Sequence, residues 1–203
     1  MKKRTLKIKE QFIKENKYLQ VLVDTLFEVS TVICSQIQNG NKILVCGNGG
    51  SCAAADHIVG ELMKGFALKR PVNKKDEIFE NLQLGIATIS LNAHQALISA
   101  ISNDLGADEV YAQQVLGYGK EGDIFIGLST SGNSENVNVA MEVANKIGLI
   151  TIGMTGKNKT SKLSKLAKYC IYSPKEETYE VQEDHIKIYH FLCLIIESEL
   201  MDY

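Results

Sequence analysis

Proline is scarce: Pro71 and Pro174 are the only two in 203 residues, so long helices can run without a ring to break them. No apolar stretch approaches the ~20 residues that a membrane span needs. Charge of one sign is not in excess either. Lys and Arg number 22 against 24 Asp and Glu, a net −2, without the basic run that tracks a nucleic-acid backbone. Neither nucleic acid nor a membrane is an expected partner. Cys-x-x-Cys spacing is also missing. The five cysteines, Cys34, Cys46, Cys52, Cys170 and Cys193, are odd in number and lie among apolar or small residues, as buried free thiols in a reducing cytoplasm would. The basic start Met1-Lys2-Lys3-Arg4 leads into residues 6–17, which are too charged for a signal-peptide core. The expected location is cytoplasmic.

What is present is ordinary in bulk, 45% apolar and 23% charged, and suits one well-buried domain over residues 1–203. Phe12, Leu19, Leu22, Val23, Leu26, Phe27 and Ile33 fall at helical spacing, so residues 1–40 read as an N-terminal helical segment of one or two helices, closed by Asn39-Gly40. Short apolar runs then recur over 42–46, 85–91, 123–128, 149–154 and 169–172, each read as a strand. Helical segments separate them over 53–68, 93–102, 108–116, 134–147 and 161–166. A last helix, 178–201, carries an apolar stripe through Ile186, Leu192, Leu194, Ile195 and Ile196. Strands that are apolar throughout need cover on both faces, so the expected fold is α/β, a three-layer αβα sandwich around a central parallel sheet. Ligands of such sheets bind at the loops beyond the strands' C-terminal ends.

Two of those loops have unusual chemistry. Cys46-Gly47-Asn48-Gly49-Gly50-Ser51 runs from a strand into a helix start, where free N–H groups suit an anion. It matches neither G-x-x-x-x-G-K-[ST] nor G-x-G-x-x-G, which demotes nucleotide binding. By itself it is a weak signal, compatible with a tight turn. Leu128-Ser129-Thr130-Ser131-Gly132-Asn133-Ser134 is stronger. A helix cap at Ser134 needs one hydroxyl; four hydroxyls beside a glycine and a helix start suit a phosphate monoester held without arginine.

Of the four histidines, His57 stands four residues before Glu61 on the helix leaving the glycine loop. The pair shares a face and can bind a metal, act as base and partner, or be a surface ion pair. Near the C-terminus stand Gln182, His185 and His190. Gln182 and His185 are one turn apart, whereas Gln182 and His190 are ~12 Å apart along a straight helix. To grip one ion together, Gln182 and His190 need a late helix start or two different subunits. His94 reads as a loop histidine without assigned work.

Gly47–Ser51, His57/Glu61, Arg70-Pro71, Asn103-Asp104, Ser129–Ser134 and Gln182-Glu183 through His190 occur together in order. This set resembles the phosphoheptose isomerases of the sugar-isomerase (SIS) domain superfamily, over nearly the whole chain. The serine-rich stretch marks the superfamily; His57/Glu61 and Gln182/His190 mark the narrower branch. The resemblance implies a flavodoxin-like SIS domain. It also implies substrate contacts from Asn48, Gly49, Gly50, Ser51, Asn103, Asp104 and Gln182, with the phosphate held by Ser129, Thr130, Ser131 and Ser134. Glu61 and His190 would be the catalytic acid/base pair, and His57, Glu61, Gln182 and His190 the zinc ligands. His190 is thereby preferred to His185. A homotetramer with active sites at subunit interfaces is implied as well. The reaction would take sedoheptulose 7-phosphate to a heptose 7-phosphate, toward nucleotide-activated heptose.

The chain departs from the family pattern in a charged segment, 72–80, and in Asn92-Ala93-His94-Gln95, which lacks the expected Asp and Ser. Two other readings compete: an isomerase of a different sugar phosphate, and a non-catalytic sensor or adaptor. A sensor needs only the phosphate cradle, so the additional His57/Glu61 and Gln182/His190 pairs favour an enzyme.

Overall fold

The five apolar runs become the strands of one parallel sheet in the computed structural model, which describes residues 1–201. They are β1 (Ile43–Gly47), β2 (Thr88–Ser90), β3 (Ile124–Leu128), β4 (Ile150–Thr155) and β5 (Tyr169–Tyr172). The helices are α1 (Lys3–Glu15), α2 (Val23–Gln38), α3 (Gly50–Leu62), α4 (Gln95–Asp104), α5 (Ala112–Tyr118), α6 (Glu135–Lys146), α7 (Lys162–Leu166) and α8 (Thr178–Leu200). A 3-10 turn, Lys17–Leu22, joins α1 to α2.

The central strands are buried on both faces, and successive side chains point into opposite layers as a sandwich requires. Ile43 and Val45 of β1 pack with α2, α3 and α8, whereas Leu44 and Cys46 pack with α5 and α6. Each such fully buried aliphatic side chain contributes about 1.5–3 kcal/mol. These are the three layers read from the sequence. The strand order is β2-β1-β3-β4-β5, the flavodoxin-like order, which reverses direction between β1 and β3. Register pairs Gly47 with Leu128, so the glycine loop and the serine loop leave the sheet side by side at that switch point.

Several boundaries differ from the sequence reading. The helix expected over 53–68 runs from Gly50 and stops at Leu62. The backbone N–H groups of Phe66, Ala67 and Leu68 donate instead to the Glu197 carboxylate at 2.8, 2.9 and 3.1 Å, which outcompetes another helical turn. The segment expected over 108–116 splits into a 3-10 turn, Ala107–Glu109, and α5. Ile186, expected in the apolar stripe of α8, is 43% exposed. The charged segment lies on the surface around a short turn, Glu77–Phe79, with Asp76 accepting from the Ile78 N–H.

Contrary to the sequence reading, Lys17–Gln38 is long and apolar enough to pass as a membrane span by composition. Its apolar residues Leu19, Leu26, Val29 and Ile33 are fully buried in the core shared with α8.

Candidate active site

The β1–α3 loop is held from below. Buried Asn92 donates to the Gly47 carbonyl at 2.7 Å and to the Tyr111 hydroxyl at 2.7 Å. That hydroxyl in turn faces the Gly47 carbonyl at 2.8 Å and the Asn48 side-chain oxygen at 3.0 Å. Asn48 also exchanges amide hydrogen bonds with Asn136 on the first turn of α6, at 2.8 and 3.0 Å. The two loops are therefore tied together by side chains as well as by strand register. Asn48, Gly49 and Gly50 are exposed, while Ser51 is buried beneath them.

Gly50 opens α3, and a Cβ there would lie 2.6–2.7 Å from the side-chain amide of Gln182. Only glycine lets that amide lie against the helix start. Gly50, Ser51, His57, Gln182, His185 and Tyr189 line a cleft of about 260 Å³. A larger cleft of about 610 Å³, bounded by α1, α2 and α8 residues such as Phe27, Cys34 and Ile195, contains none of the predicted site residues.

In the serine loop, Ser134 takes the N-cap position of α6 without making a side-chain cap. Its hydroxyl instead meets that of Ser129 at 2.9 Å. Ser131 Oγ accepts from the Asn133 N–H at 3.1 Å. Gly132 has φ +69°, and a Cβ on it would strike Ser161 at 2.2 Å, so both backbone conformation and space demand glycine. The β4–α7 loop buttresses this turn, with the Gly156 N–H donating to the Thr130 carbonyl at 2.9 Å.

His57 Nε2 lies 2.8 Å from Glu61 Oε1, and His57 Nδ1 lies 2.6 Å from the Tyr189 hydroxyl. The His190 ring stands perpendicular to that of His57, with centroids 4.9 Å apart. One ligand atom from each of His57, Glu61 and His190 falls within 4.8 Å of the others. Among the described residues, buried His190 Nε2 has no hydrogen-bond partner. Burial, reinforced by His57 and opposed by Glu61, pushes the His190 pKa down. Burial holds the Tyr189 phenol up at about 12. The donor set of two imidazoles and a carboxylate suits a divalent transition metal.

Helix α8 begins at Thr178 and runs unbroken past His190, which removes the late-start alternative. Gln182 sits against Gly50, two turns from the three-residue group. His185 also stands apart: it is buried, with Nε2 3.4 Å from the Thr155 carbonyl, and burial lowers its pKa to about 4. Asn103 and Asp104 are exposed at the far end of α4 and hydrogen-bond to each other at 2.8 Å. The fold of one chain does not bring them to the loops. His94 caps α4, its Nδ1 accepting from the Leu97 N–H at 3.1 Å. Sequence reasoning assigns no role to Tyr111, Asn136 or Tyr189 and none to Asn92 beyond its place in the 92–95 loop, since their partners lie 19 to 132 residues away.

Residues 15–156 match the SIS domain family. The chain is 36% identical over 196 residues to the phosphoheptose isomerase of Aneurinibacillus thermoaerophilus, covering 97% of this chain and 90% of that one. It is 39% identical over 198 residues to that of Thermodesulfovibrio yellowstonii, covering 98% and 89%. The solved phosphoheptose isomerase structure from Neisseria gonorrhoeae superposes with a TM-score of 0.76 at 30% identity, covering 96% of this chain and 93% of that one.

Proposed function

The chain belongs to the phosphoheptose isomerase family of SIS-domain proteins, and on that premise we propose that it converts sedoheptulose 7-phosphate to D-glycero-D-manno-heptose 7-phosphate. The observation that carries this reading is the convergence of Glu61 and His190 with His57, two of them on α3, the helix that leaves the glycine loop beside the serine loop. Ser129, Thr130, Ser131 and Ser134 bind the phosphate with hydroxyl and backbone donors at the start of α6. Asn48, Gly49, Gly50 and Ser51 bind along the sugar phosphate from the neighbouring loop.

Aldose–ketose isomerisation moves a proton between C1 and C2 through an enediol or enediolate. Glu61 and His190 divide that work: one takes the carbon-bound proton, the other serves the oxygens. The depressed pKa of His190 keeps its ring neutral near pH 7 and able to accept a proton. His57 holds the Glu61 carboxylate in place. His57, Glu61 and His190 would hold a zinc ion, which when bound polarises the carbonyl.

Gln182 is the fourth ligand in this proposal. Its place two turns along α8 supports a homotetramer in which sites are completed across subunit interfaces, and Asn103 and Asp104 enter by the same route. One SIS domain spanning 1–203 and a cytoplasmic location complete the proposal.

The test is turnover of sedoheptulose 7-phosphate by purified protein, with and without added zinc, beside Glu61→Gln and His190→Gln. Conversion that collapses in both variants supports the isomerase. A folded, zinc-loaded wild type that leaves the substrate untouched rules this reading out and turns attention to other sugar phosphates or to a sensor.

A further inference from the structure

Both ring nitrogens of His57 are engaged, Nε2 with Glu61 and Nδ1 with the Tyr189 hydroxyl. Tyr189 precedes His190 on α8, is 2% exposed, and meets both histidine rings edge-on, at 5.4 Å from His57 and 4.8 Å from His190. It is thus fixed by packing, with its oxygen aimed at one atom.

Beside an ionised Glu61, which can only accept, a neutral His57 ring places its proton on Nε2, and the Tyr189 O–H then donates to Nδ1. A metal bound at Nε2 would need the lone pair there, and the proton then belongs on Nδ1. A carboxylate or carbonyl beside Nδ1 would serve only the second state, and an ammonium only the first. A hydroxyl is donor and acceptor in one atom and serves both.

We propose that Tyr189 is a positioning residue that keeps the His57 ring in one orientation whether Nε2 faces Glu61 or a metal, so that metal binding exchanges tautomers without rotating the ring. This rests on the metal reading above and adds a residue to it.

Tyr189→Phe keeps the ring and its packing and removes one oxygen. Zinc affinity, measured by competition with a chromophoric chelator, is expected to fall about 10–100-fold, the usual cost of losing an outer-shell partner. The far-UV spectrum of the metal-free protein should be unchanged. Affinity within about twofold of wild type, well short of that cost, overturns the role of Tyr189 while leaving the metal site standing. A wild type that binds no zinc removes both. Two-bond ¹H–¹⁵N correlation spectra of metal-free wild type near pH ~8, above the usual histidine pKa, give a second readout that does not depend on the variant folding. The Nε2–H tautomer of His57 is expected, and finding the proton on Nδ1 overturns the proposal.

Discussion

Arg70 and Glu197 form a solvent-free ion pair, Nε to Oε1 at 2.8 Å with the side chains 0% and 1% exposed. The carboxylate also accepts from three backbone N–H groups of 66–68. The guanidinium reaches the Leu62 carbonyl at 2.7 Å and the Glu61 carbonyl at 3.4 Å. The pair thus ends α3 directly behind Glu61 and fastens that end to α8, the helix of His190. Phe66, anchored by Glu197, lays its ring 5.5 Å from that of His190.

Removing either partner leaves a buried charge alone, so Arg70→Met or Glu197→Leu should each cost about 3–5 kcal/mol in urea unfolding. Replacing a buried pair by apolar residues is often neutral. Here the double variant should remain destabilised, because three backbone N–H groups lose their acceptor.

Ser134→Ala removes a hydroxyl that is bonded to Ser129 rather than spent on a cap. Steady-state kinetics should show KM for the sugar phosphate raised about tenfold, equivalent to about 1.4 kcal/mol, with kcat little changed. An unchanged KM would remove Ser134 from the phosphate cradle.

Gly50→Ala places a methyl group against the end of the flexible Gln182 side chain. That side chain can swing away, so thermal stability should change little while kcat/KM falls at least about tenfold, or about 1.4 kcal/mol of transition-state binding. Full activity in this variant would mean that Gln182 does no work where it lies.

His185 gives a pH dependence separate from the chemistry. Burial depresses its pKa from 6.5 to about 4, so the folded state disfavours the proton that the unfolded chain accepts. Stability is intact above pH 6.5 and is lost as pH falls from there toward 4. Chemical unfolding of His185→Leu across that window should show a shallower decline than wild type.

Much of the candidate site was legible because its signals are local. Ser129–Ser134 and Gly47–Ser51 announce themselves by composition at a strand end, and His57 and Glu61 by helical spacing. The end of α3 was not legible, because Leu62 gives way to Phe66 through an acceptor on a helix 130 residues later. Tyr189 carried no signal, because the partner of its hydroxyl, His57, lies 132 residues away. His94 carried no signal, since a side-chain cap on Leu97 depends on how the chain turns after β2.

The sequence by itself determined the layers: apolar runs of strand length alternating with amphipathic helices have few other ways to bury both faces. It also determined which loops carry hydroxyls and glycines. Tertiary structure decided which strands adjoin, and so set Gly47 beside Leu128 and brought two separate loops side by side. It decided as well that His190 rather than His185 meets His57 and Glu61. The physical reason is that residue spacing encodes contacts within an element, whereas the packing of α3 on α8 follows from burial and hydrogen bonding summed over the whole core.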